Sequence, residues 1–186
     1  MAGTVKRSMV MPSYIPNKPA LPGRLFAHLR RSLPPLVTTI VGAACWATVM
    51  AASASAGVWA NGWQTAGKLT DVATLYASGA AIAFPLGLVL ARFVSLGRSA
   101  ETAFAAAFLG FSLSTVGVTA ILFAFDYRQY YVAWHDEPLT LTWAVQFAFT
   151  TANALIQFAV LGLRLFFPIG FIALIAASLW VARSPR

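Results

Sequence analysis

The sequence predicts an all-α fold: an integral membrane helical bundle of four transmembrane helices, with an additional amphipathic helical segment before the last span. Three observations predict it. Of the 186 residues, 59% are hydrophobic and only 10% charged, against about 25% charged in ordinary globular domains, so polar residues are too few to coat a soluble particle. Apolar runs long enough to cross about 30 Å of hydrocarbon follow one another along the chain. The charges are also sorted by position along the chain rather than spread over one face, which separates the formal +8 of this protein from the basic surface of a nucleic-acid-binding domain.

The first segment, 1–35, carries Pro12, Pro16, Pro19, Pro22, Pro34 and Pro35, which fix φ and withhold donors from any long helix or sheet. It is expected to be a basic, mostly disordered cytoplasmic tail. Within it, Arg24, Arg30 and Arg31 sit in a short basic and apolar stretch beside the membrane and are candidate contacts for anionic lipid, at about 1 kcal/mol per base.

The transmembrane domain is expected over 36–182. Its first span, 36–59, is free of charge; Ala52-Ser53-Ala54 resembles a leader-peptidase site, but the long Pro-rich region before it is unlike a compact leader, so the span is expected to stay as an anchor. Cys45 lies inside this span and reads as a small buried hydrophobe. The second span, 72–94, holds Pro85, where a kink is expected, and Arg92 near its end, where a long side chain reaches the headgroups. The third, 103–125, is opened by Glu101 and Thr102 and closed by Asp126.

The last apolar region, 141–181, is too long for one crossing, because about forty helical residues reach roughly 60 Å. On a helical projection Thr142, Gln146, Thr150, Asn153, Gln157 and Arg164 fall within an arc of roughly 80°, leaving the opposite side to alanines and Leu155. One reading makes 141–164 an interfacial or outward-projecting helix leading into a final span at 165–181, bent at Pro168 and Gly170. The other makes 141–164 a span that turns at Arg164, with 165–181 returning as a fifth. That turn has no Gly, Asn, Asp or Ser to form it. Charge also favours the even count, since a fifth span would export the basic tail 183–186 against the positive-inside rule.

The distribution of bases places the N-terminus, the loop holding Arg92 and Arg98, and the C-terminus in the cytoplasm. Arginine outnumbers lysine ten to three and alanine is abundant, a composition associated with GC-rich bacteria, so the expected location is a bacterial inner (plasma) membrane.

Two kinds of surface stand out. Small residues recur at four-residue spacing, Ala43, Ala47, Ala51 and Ser55 on the first helix and Ala106, Gly110 and Ser114 on the third, where backbones approach closely without any hydrophobic drive between helices. The neutral polar stripe from Thr142 to Arg164 lacks the Lys and Arg of a helix lying on headgroups. It is a candidate for packing inside the protein, for a partner subunit or for a polar path.

Catalytic chemistry is thin. The spans contain no acid, and the chain has neither a Gly-rich phosphate loop with Lys nor a His-Glu-x-x-His motif. His135, Asp136 and Glu137 are metal-ligating types, but consecutive residues point apart and the only other histidine, His28, is expected on the opposite side. The reading is therefore a protein that is not an enzyme, with no cofactor or metal: an accessory, assembly or anchoring subunit that contacts membrane lipids and associates through its helices with a membrane-protein partner or with itself. The alternative is a small transporter or channel component whose copies line a polar path.

Overall fold

The computed structural model describes Arg30, residues 32–63 and residues 67–184. Residues 1–29, 31, 64–66 and 185–186, and with them Arg24 and Arg31, lie outside the described residues. Among those described, every regular element is helical: α1 (Leu36–Ala60), α2 (Lys68–Ser95), α3 (Ala100–Tyr131) with a 3-10 turn (Val132–Trp134), α4 (Leu141–Gln157), a π segment (Phe158–Gly162), a 3-10 segment (Leu163–Phe166) and α5 (Ile169–Arg183). Four helices are long and apolar enough to cross a membrane: Leu36–Ala60, Lys68–Ser95, Ala100–Trp134 and Leu141–Phe166. The helix Ile169–Arg183 is shorter and also apolar.

Two helix starts, those of α3 and α4, are capped by side chains. Ser99 accepts a hydrogen bond from the Thr102 amide and Thr140 from the Trp143 amide at 3.1 Å, each satisfying one of the amides that a helix start leaves without a partner. α2 continues through Pro85 as one α-helix. The third helix does not stop where its apolar run closes at Asp126 but runs on to Tyr131. Asp, Tyr, Arg and Gln are polar without being helix breakers, and the first residue hostile to a helix is Pro138.

Packing is set by residues small enough to bring backbones together. α2 and α3 form the most extensive pair, followed by α1 and α2. A Cβ on Gly87 would stand 3.0 Å from the Phe111 Cα and 3.2 Å from the Gly110 carbonyl oxygen, so this crossing admits only hydrogen at that point. Ala106, Gly110 and Ser114 are all buried. On α1 the buried line is instead Trp46, Met50, Ala54 and Val58, with Ala43, Ala47, Ala51 and Ser55 half-buried along its flank. The buried line keeps the same four-residue step and lies one position before Ala47, Ala51 and Ser55, about 100° around the helix, so the small residues edge the contact and do not centre it. Cys45 is exposed rather than buried, because it precedes Trp46 by 100° and falls on the outer side of α1.

The final apolar run keeps one direction. As α3 numbering falls from Tyr127 through Phe123 to Phe108, its partners rise from Asn153 through Phe158 to Phe171. The chain therefore does not reverse at 163–167, and the fifth returning span is not what forms. Residues 158–183 lie beside α1 along most of its length, from Leu165 at Gly57 to Trp180 beside Thr38 and Val41. The pairings Gly87–Gly110 and Gly79–Thr119, extended along the two helices, bring the end of α3 level with the start of α2. The 3-10 turn, the tip at 135–140 and the first turns of α4 thus stand as a helical hairpin beyond the ends of α1 and α2.

Gly87→Ala is expected to destabilise the detergent-solubilised protein by about 1–3 kcal/mol through overpacking. Gly117→Ala, where an added Cβ meets nothing within 4 Å, should leave thermal unfolding unchanged; equal midpoints for the two variants would refute the close crossing.

Candidate functional site

Two places concentrate chemistry: the polar seam inside the hairpin, and the break in the final run. In the seam, α4 folds back on the end of α3 and the middle of the predicted stripe, from Gln146 to Gln157, bonds to it. The Gln146 Oε1 accepts from the Asp136 amide at 2.8 Å. The Thr150 hydroxyl donates to the Gln146 carbonyl at 2.7 Å, so its contact with the His135 Nε2 at 3.1 Å makes the imidazole the donor. Asn153 Nδ2 and Gln157 Nε2 both donate to the Tyr127 hydroxyl, at 2.7 and 3.2 Å. Beside them Arg128 lies 3.9 Å above the Phe147 ring, a cation–π contact that holds the guanidinium at the level where the apolar part of α3 ends. A cleft of about 420 Å³ opens between Tyr127, Tyr131, Phe149, Thr150 and Asn153.

Thr142 and Arg164, the two ends of the stripe, are exposed, as is Asn153 beside the cleft, while Gln146, Thr150 and Gln157 are half-buried. Arg164 neighbours Leu165, which packs on Gly57 in the last turn of α1, so its charge sits at the same end of the bundle as Lys68, Asp71, Asp126 and Arg128. Arg30, Arg92, Arg98, Glu101 and Arg183 mark the other end, and the depth between carries no charge.

The break is where the final run passes α1 and α2. The π and 3-10 segments leave carbonyls without the usual helical donors, and Pro168 has no amide hydrogen to give. In hydrocarbon such groups need protein partners, and hydroxyls on neighbouring helices supply them. The Tyr76 hydroxyl donates to the Gly162 carbonyl at 2.6 Å. Ser53 donates to the Leu165 carbonyl at 2.9 Å and accepts from the Gly170 amide at 3.2 Å, stapling the chain on both sides of Pro168. Burial pushes the other features of this layer together as rings: Tyr76 against Phe166 at 4.9 Å between centroids, Trp46 against Phe111 at 5.6 Å, and Phe84 against Phe111 at 5.3 Å. The Trp46 indole N–H donates to Thr115 at 3.0 Å, tying α1 directly to α3.

The bend leaves an apolar notch of about 200 Å³ between α1, α3 and the final run, floored by Trp46, Met50 and Phe111 and rimmed by Phe108, Phe167 and Phe171.

Sequence reasoning found the stripe but not its acceptor, Tyr127, nor the staples Ser53 and Tyr76. The signal for the staples was present: Pro168 and Gly170 inside an apolar run require outside hydrogen-bond partners, and few hydroxyls lie at matching depth. Fold and sites together define a helical, multi-pass membrane protein. No known protein family, curated protein or solved structure matches the chain.

Ser53→Ala would strand a buried carbonyl and a buried amide, with an expected loss of about 2 kcal/mol and faster hydrogen exchange at the Gly170 amide; unchanged exchange there would refute the staple. Tyr127→Phe removes the acceptor of two amides and should cost about 1 kcal/mol, read as a lower unfolding midpoint and opening of the hairpin.

Proposed function

We propose that this chain is an accessory, assembly or anchoring subunit of a membrane complex, seated in a bacterial inner membrane with its N-terminus in the cytoplasm, and that it works by association rather than by chemistry. The observation that carries the reading is the surface of the hairpin. Much of its polar seam is bonded internally, while Trp134, Leu139, Leu141 and Phe149 are 65%, 92%, 82% and 74% exposed. Large apolar side chains displayed on an element that stands beyond the bundle are characteristic of a protein-contact surface. The orientation rests on the bases Arg30, Arg92, Arg98 and Arg183 at one end, against a mixed end holding four of the five acids, Asp71, Asp126, Asp136 and Glu137.

The transport alternative needs the amides of the stripe to line a path. Gln146, Asn153 and Gln157 instead close the hairpin, which weighs against it. The deciding experiment is purification of the tagged chain from its native membrane in mild detergent, with size analysis and mass spectrometry. A stoichiometric foreign partner is expected, lost on Leu139→Ser with Phe149→Ser while the chain stays folded; recovery as a lone homo-oligomer would overturn the subunit reading. In a Cys45→Ala background, a cysteine at Glu137 should react with an impermeant thiol reagent added outside the cell and one at Gly97 should not. The reverse pattern would invert the orientation.

A further inference from the structure

We infer that the notch beside the Phe167-Pro168 break is a seat for the hydrocarbon chain of a membrane lipid, which enters sideways from the bilayer and completes the packing that the bend leaves undone. The site is built from three independent directions. Trp46 and Met50 on α1 and Phe111 on α3 are almost wholly buried and form a ring-lined floor. Phe167 and Phe171, 56% and 39% exposed, form a mouth on the outer surface, with their rings stacked at 5.3 Å and Phe171 edge-on to Phe108 at 6.3 Å. Exposed Leu109 and Leu113 on α3 and Ile172 on α5 flank that mouth, so the surface around it is one that lipid chains cover.

The wall selects the class of occupant. Its polar groups are turned onto the protein: the Trp46 N–H donates to Thr115, the Ser112 hydroxyl to the Phe108 carbonyl, and the Gly170 amide to Ser53. What meets an occupant is hydrocarbon and ring face, with no charged side chain among the lining residues. A polar headgroup would lose its hydration there without replacement, whereas an alkyl or isoprenoid chain loses nothing. The notch cannot simply collapse, because the Ser53 staple and the ring of Pro168 hold the bend on one side and the Trp46–Thr115 bond holds α1 to α3 on the other. Its volume exceeds that of dry apolar cavities known to take up benzene.

The test uses the full chain in nanodiscs made with phosphatidylcholine that carries a diazirine near the end of one acyl chain, with crosslinked residues mapped by mass spectrometry. Labelling is expected to concentrate on Phe108, Phe111 and Phe171 above the open lipid-facing residues Leu86, Leu90 and Val94 of α2. Ser112→Phe, which fills the notch from α3, should reduce notch labelling several-fold, leave the α2 surface unchanged, and raise or preserve the unfolding midpoint. Val116→Phe reaches the same space from the next turn and gives the same readout if Ser112→Phe does not fold. Labelling of the notch no greater than that of α2, or unaffected by a folded filling variant, would overturn the assignment.

Discussion

The constraint on which the rest of the structure depends is that a helix broken inside hydrocarbon has to find hydrogen-bond partners from its neighbours. Where such carbonyls and amides are buried away from water, each stranded group costs several kcal/mol. The final run breaks between Phe158 and Ile169, and two hydroxyls decide whether the break is tolerable. Ser53 serves both sides of Pro168 through one oxygen, donating to Leu165 and accepting from Gly170. Tyr76 reaches the Gly162 carbonyl from α2. Because the staples come from α1 and α2, the position of the break is a property of the whole bundle, and α1, α2 and the final run are located relative to one another at that layer.

Close packing follows from the same demand. A serine hydroxyl reaches a neighbouring backbone only when the helix axes are near, and nearness is secured where side chains vanish. Gly57 lets Leu165 lie against α1, and Gly87 with Gly110 lets α2 meet α3. In a soluble bundle such glycines would weaken the helices. In lipid the gain from van der Waals contact between backbones is the main attraction available, and the alternation of glycine and alanine with Trp46, Phe84 and Phe111 produces notches matched by rings.

Much of the fold was legible in the sequence, because hydropathy and charge report directly on depth. The first two helices begin and end within a few residues of their apolar runs, and the third begins so, though it runs on to Tyr131. The polar stripe was legible as a stripe, but its destination was not: periodicity assigns Gln146, Asn153 and Gln157 to one face without saying that Tyr127, on another helix, waits opposite. The small-residue line on α1 was misplaced by one position along the helix, since the row that meets the neighbours is the parallel one of Trp46, Met50, Ala54 and Val58, which recurs at the same spacing. Cys45 was misread for a related reason. Composition shows that a residue lies in a span, while only tertiary packing shows whether it faces protein or lipid. Partners at long sequence separation, such as Ser53 with Leu165 and Trp46 with Thr115, are set by the register between helices, which no local pattern encodes.

The tip of the hairpin carries the argument one step further. Leu139 has a φ of 72°, a conformation that L-residues with a Cβ adopt at a cost and that glycine or asparagine would fill more readily. Its neighbours hold it there: the Thr140 amide and hydroxyl both donate to the Glu137 carbonyl, the Glu137 amide donates to Asp136, and the Thr140 oxygen caps α4. The result is a large apolar side chain displayed at the apex, in a shape fixed before any contact is made. Nothing in the packing of the bundle rewards that arrangement, since the side chain is almost fully exposed. On the subunit reading it is preorganisation: the ordering entropy of the apex is met by the hairpin's own hydrogen bonds, so a docking partner would not have to supply it.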